Sequence, residues 1–137
     1  MEFRVGNFNL RNLTLPNFRF YENLMYSEEE YQKKCNWCVQ QLKNMSAPIV
    51  AFQEVFHYKP LHDICVESGL YSTKPNLLCP SSDESEPRVA LVSKYPITEW
   101  KTHTLFPSSC QTKEFQSFRR PFIEATIEIP CSETNET

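Results

Sequence analysis

The chain has 137 residues, of which 40% are hydrophobic and 23% are charged, and its formal net charge at pH 7 is -3. This composition is typical of one soluble globular domain, has no apolar run near the roughly 20 residues of a membrane span, and lacks the basic stripe that usually binds a long polyanion. Only two glycines, Gly6 and Gly69, occur, which excludes glycine-rich phosphate loops of the P-loop and dinucleotide-binding kinds.

The first predicted strand begins almost at the N-terminus. The segment Phe3 to Leu10 alternates side chains between two faces and ends around the polar Asn9, which predicts a strand that opens into a polar site. Because Met1 to Arg4 runs directly into this strand, we expect no signal peptide and therefore a cytoplasmic protein with reduced cysteines. The following segment, 11–26, is aromatic and rich in asparagine, with Pro16 in its middle, and indicates an ordered loop at the edge of that site.

A helix is predicted from Glu28 to Asn44. Ser27 and the three glutamates after it form a capping box, and Lys43 near the end complements the helix dipole. Side chains for a buried face recur at helical spacing at Tyr31, Cys35, Cys38, Leu42 and Met45.

The next predicted strand, Ile49 to Val55, ends in a Gln-Glu pair. A glutamate that leaves a buried strand must be ionised and solvated, paired with a cationic side chain, or bound to a metal ion. Glu54 is therefore either the first solvated residue of a loop or a ligand for a hard metal ion, which prefers oxygen donors.

The second half of the chain predicts one more helix and then strands. The helix runs from Lys59 or Pro60 to Ser68, and Gly69 ends it. Strand-like segments follow near 70–78, 88–94, 97–105 and 118–129, and an acidic loop occupies 81–86. This order predicts an α/β fold with a mixed sheet and helices packed on one face.

Four segments in this order resemble the N-terminal half of the endonuclease/exonuclease/phosphatase superfamily. They are FNLRN at 8–12, FQEV at 52–55, RVALVSKYPI at 88–97 and FRRPFIEATIEI at 118–129, so the resemblance spans about Phe3 to Ile129. It implies a mixed-sheet α/β sandwich truncated to about its first half. Residues 1–130 would be the N-terminal part of one such domain, and 131–137 a flexible tail or the start of the missing half.

The resemblance also implies a function, that of a metal-dependent phosphoester hydrolase. Glu54 would ligate a catalytic Mg²⁺ (or Mn²⁺), and Asn9 would lie beside the metal and orient the catalytic carboxylate or the phosphate. The substrate would be a nucleic acid, a phospholipid or a phosphorylated small molecule. The family's general base and its catalytic histidine come from later motifs that do not occur before Thr137, so we expect the chain alone to be inactive. His57, His62 and His103 match none of those motifs and are interpreted as surface or helix histidines.

Three arginines near these motifs allow two interpretations each. Arg11 stands where many relatives have an acidic residue, and it is either a contact for a substrate phosphate or a solvated loop residue. Arg119 and Arg120 allow the same alternatives, and neither is assigned as a metal neighbour.

Two other hypotheses remain at the level of sequence. The chain is a non-catalytic binding module of the same fold, in which case its exposed sheet would self-associate. Alternatively, Cys35-Asn-Trp-Cys38 is a redox or zinc centre. The motif lies about two turns inside the predicted helix, away from the N-terminus that lowers thiol pKa values, so core thiols are the favoured interpretation.

Overall fold

The fold begins with alternating strands and helices and ends with strands. The computed structural model describes residues 2–131, and the part of the predicted tail beyond Cys131 lies outside the described residues. The elements are β1 (Val5–Leu13), α1 (Glu28–Met45), β2 (Ile49–Val55), α2 (Tyr58–Glu67), β3 (Asn76–Leu78), β4 (Arg88–Ser93), β5 (Ile97–Leu105), a 3-10 turn (Ser108–Cys110) and β6 (Ser117–Ile127). Neither helix of the described chain is long and apolar enough to cross a membrane.

The strands form two sheets. The larger sheet has the order β1-β2-β4-β3, with β1 parallel to β2 and with β4 antiparallel to both β2 and β3. Strands β5 and β6 pair antiparallel in a separate two-stranded sheet. The predicted α/β class and mixed sheet are confirmed, whereas the last two strands stand apart from the larger sheet.

Both helices contribute to the hydrophobic core on one face of the larger sheet. Alternate residues of β1 and β2 point toward it, including Phe8, Val50 and Phe52, and α1 and α2 supply Leu42 and Leu61. The opposite face is only partly covered. An open cavity of about 350 Å³ separates it from β6, with Ala51, Val89 and Leu91 on one side and Ile123, Ala125 and Ile127 on the other.

The cysteines of the CxxC motif belong to the core. Cys35 and Cys38 are both buried on the inner face of α1. Burial raises the pKa of the Cys38 thiol to about 11 and also raises the pKa of Cys35. The interpretation of these residues as core thiols is confirmed.

The strand predicted at 70–78 is mostly wrong, because only Asn76–Leu78 is extended. Tyr71 turns into the core, where its hydroxyl donates to the Ala47 carbonyl at 2.8 Å. The Ser72 hydroxyl donates to the Lys74 carbonyl at 2.6 Å and closes a local turn. These side-chain bonds compete with strand pairing for the segment.

Helix α1 begins at the predicted capping box. The Ser27 hydroxyl accepts from the Glu30 backbone N–H, the Glu30 carboxylate accepts from the Ser27 N–H, and both distances are 3.2 Å. We expect Ser27→Ala to lower the free energy of unfolding by about 1 kcal/mol, because the substitution removes an N-cap. Denaturant unfolding measures this change. Ser82→Ala, in an exposed loop, is the control, and equal losses in the two variants would contradict the assignment.

Candidate functional site

A bulge interrupts β2 at its C-terminal end. In the β2–β4 ladder, Phe52 pairs with Ala90 and Val55 pairs with Arg88, so Gln53 and Glu54 together oppose a single residue. The parallel β1–β2 ladder is also shifted here, between the Asn9–Gln53 and Leu13–Val55 pairs. Bulges of this kind bend a strand and re-aim a side chain, and they are common next to active sites.

Glu54 has a strained backbone. Its φ angle is 60°, in the left-handed region that costs a residue with a side chain about 1–2 kcal/mol. The residue is half-buried, and its carboxylate forms neither a hydrogen bond nor an ion pair within residues 2–131. Solvent reaches this carboxylate, because the buried side-chain atoms without a partner in the described chain belong to Asn12 and Arg88.

The end of β1 presents amide side chains beside Glu54. Asn9 pairs with Gln53 in the ladder, and its Oδ1 accepts a hydrogen bond from the Arg11 backbone N–H at 2.9 Å. The Gln53 Nε2 donates to the Asn7 Oδ1 at 2.6 Å, which joins the two strands on the partly covered face. These bonds fix the directions of the amide groups around the carboxylate.

A cavity of about 420 Å³ contains the two residues predicted as the site, Asn9 and Glu54. We call it the Glu54 cavity. Its other lining residues are Tyr21, Gln53, Pro87, Arg88, Val89, Arg119 and Arg120. Three arginines therefore line the cavity together with one carboxylate residue, in a chain whose net charge is -3.

Arg11 does not line this cavity. Its φ angle of 47° begins a left-handed turn that continues at Asn12, and its side chain is exposed. The Arg11 carbonyl accepts from the Tyr26 hydroxyl at 3.2 Å and from the Lys34 ammonium at 2.8 Å. The loop predicted to lie at the edge of the site does contribute a lining residue, Tyr21.

Arg88 is the residue that sequence analysis missed. It is 7% exposed, and its Nη2 donates to the Phe56 carbonyl at 2.9 Å while Nη1 donates to the Ser81 carbonyl. In sequence it is an ordinary charged residue at the start of a strand. No pattern distinguishes it from a solvated arginine, because its burial depends on the loops that pack over it.

His57 is buried at the start of α2, so of the two predicted positions, surface or helix, the surface position is wrong. It is 4% exposed and is the N-cap residue of α2. Its Nδ1 accepts from the Leu15 backbone N–H at 3.0 Å, and Nε2 lies 3.9 Å from a carboxylate oxygen of Glu84. Burial lowers the pKa of His57, with a smaller opposing effect of Glu84 and a lowering effect of Arg88.

The oxygen donors of the Glu54 cavity are those that a hard cation prefers. Glu54 is its one carboxylate, and the amide oxygens of Asn9 and Gln53 lie next along the strands. The Asn9 Oδ1 accepts one hydrogen bond, so a second lone pair remains. No group of three or more His, Cys, Asp or Glu side chains that could hold a metal occurs within 2–131. This donor set suits Mg²⁺, which usually retains several waters and takes one or two protein carboxylates. It has too few ligands for an ion that protein atoms surround completely.

No protein-family model matches this chain, and no curated protein matches it. The interpretation of the cavity therefore depends on its own geometry and chemistry.

The strain at Glu54 can be measured by comparing glycine with alanine. We expect Glu54→Gly to be more stable than Glu54→Ala by about 0.5–1 kcal/mol, because glycine adopts the left-handed region without steric cost. The same pair of substitutions at Gln40, within α1, should give the opposite order, since alanine favours a helix by about 1 kcal/mol. Denaturant unfolding of the four variants is the measurement, and the same order at both positions would contradict a strained Glu54.

The buried His57 predicts a loss of stability in acid. Its folded pKa is below the unfolded value of 6.5, so its contribution is fully present above about pH 6.5 and is lost as the pH falls toward the folded pKa. Protonation also removes the acceptor for the Leu15 N–H. His57→Asn keeps an oxygen acceptor but does not titrate, so stability curves from pH 8 to 5 should be flatter in this variant. Parallel curves for the two proteins would contradict the prediction.

Proposed function

We propose that the chain contains the metal site of a metal-dependent phosphoester hydrolase of the endonuclease/exonuclease/phosphatase type. The observation that carries the proposal is the Glu54 carboxylate, which is half-buried, held on a left-handed backbone and unpaired among the described residues, in a cavity with three arginines. Strain of this kind persists where the surrounding structure requires a particular side-chain direction.

The pairing of one carboxylate with several guanidinium groups favours a phosphoester substrate. Glu54 supplies the charge for a divalent cation, and guanidinium groups bind phosphate oxygens through charge-assisted hydrogen bonds. When bound, Mg²⁺ or Mn²⁺ polarises a phosphoryl oxygen and neutralises developing negative charge. A cavity without carboxylates would bind anions but no metal, and a cavity without arginines would leave the substrate phosphate unpaired.

In this proposal each residue of the Glu54 cavity has its own role. Glu54 holds the cation, with Asn9 and Gln53 beside it as amide donors and acceptors. Arg119 and Arg120 orient the phosphate, and Tyr21 lies at the rim of the same cavity. Arg11 has no part, because its side chain lies outside the cavity lining.

Metal binding by the 137-residue chain tests the proposal directly. We expect Mn²⁺ to broaden the backbone NMR signals of Asn9, Gln53, Glu54 and Val89 before others, since these residues line the cavity. Glu54→Gln should raise the Mn²⁺ concentration needed for this broadening more than about 100-fold, because it removes the charge of the ligand. Glu29→Gln is the matched control, as Glu29 is exposed on α1 and pairs with Lys33 at 3.2 Å.

Three outcomes have different consequences. Unchanged broadening in Glu54→Gln would overturn the metal site and with it the proposed hydrolase. Site-specific broadening together with loss of phosphodiester hydrolysis in Glu54→Gln, measured on a chain that includes the family's remaining motifs, would support the hydrolase. Broadening without hydrolysis in such a chain would favour the alternative of a non-catalytic binding module.

A further inference from the structure

A second cavity adjoins the Glu54 cavity. It has a volume of about 190 Å³, well above the roughly 10–15 Å³ that admits one water, so a group of several atoms fits. We call it the side cavity. Both cavities are lined by Pro87, Arg88, Val89, Arg119 and Arg120, so the three arginines form a wall common to the two spaces.

Arg88 carries a buried positive charge without a carboxylate partner. Two backbone carbonyls accept from its Nη groups, and its Nε–H has no hydrogen-bond partner in the described chain. No carboxylate oxygen within residues 2–131 lies within 4 Å of the guanidinium, although buried charges are usually paired. Neutral carbonyls satisfy hydrogen bonds without cancelling the charge. Asp83 compensates part of it, since the pKa of Asp83 is lowered by its hydrogen bonds to Ser85 and, in addition, by Arg88.

The other two arginines are more accessible. Arg119 is exposed, and Arg120 lies 3.8 Å from Glu86 through its Nη1. This ion pair is long, and the Glu86 side chain is 67% exposed, so water and salt screen it strongly. Asp83 also lines the side cavity and belongs to the same exposed loop. Two screened carboxylates therefore compensate only part of the charge of three guanidinium groups, one of which is buried.

The remaining walls of the side cavity strengthen the attraction for an anion. They are formed largely by prolines and by the apolar side chains of Val89 and Ile123. Apolar walls lower the local dielectric constant and raise the attraction between a guanidinium group and an anion above its value in open water. Thr102 and Ser81 add polar atoms near the arginines.

We propose that the side cavity binds a second phosphate group of the substrate, next to the phosphoester held at Glu54. This inference rests on the proposed function and narrows it to substrates that carry two neighbouring phosphates. Nucleic acids and doubly phosphorylated small molecules meet this requirement, whereas a phospholipid with a single phosphodiester does not. Arg88 and Arg120 provide the charge, and the Glu86 carboxylate occupies part of the site until the phosphate displaces it.

Anion binding without metal tests the side cavity separately from the hydrolase. With the full 137-residue chain in EDTA at low salt, we expect pyrophosphate to bind at least about 10-fold more tightly than inorganic phosphate, because its two phosphates can each pair with a guanidinium group of the wall that the two cavities share. Arg120→Gln should remove this preference. Glu86→Gln should increase pyrophosphate affinity about two- to fivefold, a gain that a merely structural role does not explain. Arg4→Gln, an exposed arginine outside both cavities, is the matched control.

Further variants separate the two proposals. Glu54→Gln should lose Mn²⁺ binding but should not weaken pyrophosphate binding in EDTA, because it removes a negative charge from the Glu54 cavity, so failure of the metal site leaves the phosphate site measurable. Arg88→Lys keeps the buried charge but removes the forked donors, and it should weaken pyrophosphate binding by about 10-fold. If Arg88→Lys unfolds, the other two variants still decide the result. Glu86 lies in an exposed loop and Arg120 lies on β6.

The source of the second phosphate is distinguished with dinucleotides in the presence of Mg²⁺. Tighter binding of pdTpT than of dTpT supports a nucleic acid source, and a preference confined to pyrophosphate supports a small molecule. Equal affinities for phosphate and pyrophosphate in the wild-type chain would overturn the inference. An unchanged preference in Arg120→Gln would also overturn it.

Discussion

The bulge in β2 is the constraint on which the site depends. β2 is an inner strand of the larger sheet, bonded to β1 on one side and to β4 on the other, and both ladders shift at Glu54. The residues after the bulge are held on both sides. The Phe56 N–H donates to the Leu13 carbonyl at 3.0 Å, and the Phe56 carbonyl accepts from Arg88. A left-handed residue that costs about 1–2 kcal/mol is stable here because its neighbours cannot relax.

The charge near the two cavities differs from the net charge of the chain. The chain as a whole is acidic, and its acidic side chains cluster at the start of α1 and in the loop 81–86. The three arginines that line both cavities come from β4 and β6, far apart in sequence. Net charge describes the average field around a protein, whereas a ligand in a cavity experiences the nearest, least screened groups. The acidic composition therefore disfavours nonspecific binding of long polyanions without excluding a site for one or two phosphates.

Local sequence signals predicted most helices and strands, whereas the burial of side chains that distant segments enclose could not be predicted from them. The capping box fixed the start of α1, and the apolar run fixed β2 to the residue. Asn9 and Glu54 share a cavity because the ends of adjacent parallel strands meet, which a sequence pattern can anticipate. The burial of Arg88 and His57 could not be anticipated, since each is enclosed by loops from other parts of the chain. For Arg11 the sequence left two alternatives, a phosphate contact or a solvated residue, and its exposed side chain after a left-handed backbone fits the second.

The proposed anion site would couple ligand binding to the packing of the smaller sheet, because Arg88, Arg119 and Arg120 line it together. Arg119 and Arg120 lie on β6, which meets the larger sheet through Ile123, Ala125 and Ile127 and leaves a cavity between the sheets. Arg88 and Glu54 lie on the larger sheet. An anion that contacts arginines of both sheets binds only when β6 is docked, so it stabilises the docked arrangement by mass action, by about 2.7 kcal/mol at 100 times its dissociation constant. The relation is reciprocal: whatever strengthens the apolar contact of β6 also preorganises the arginines. At the proposed site, affinity for phosphate would therefore depend on packing between the sheets as much as on the charged groups themselves.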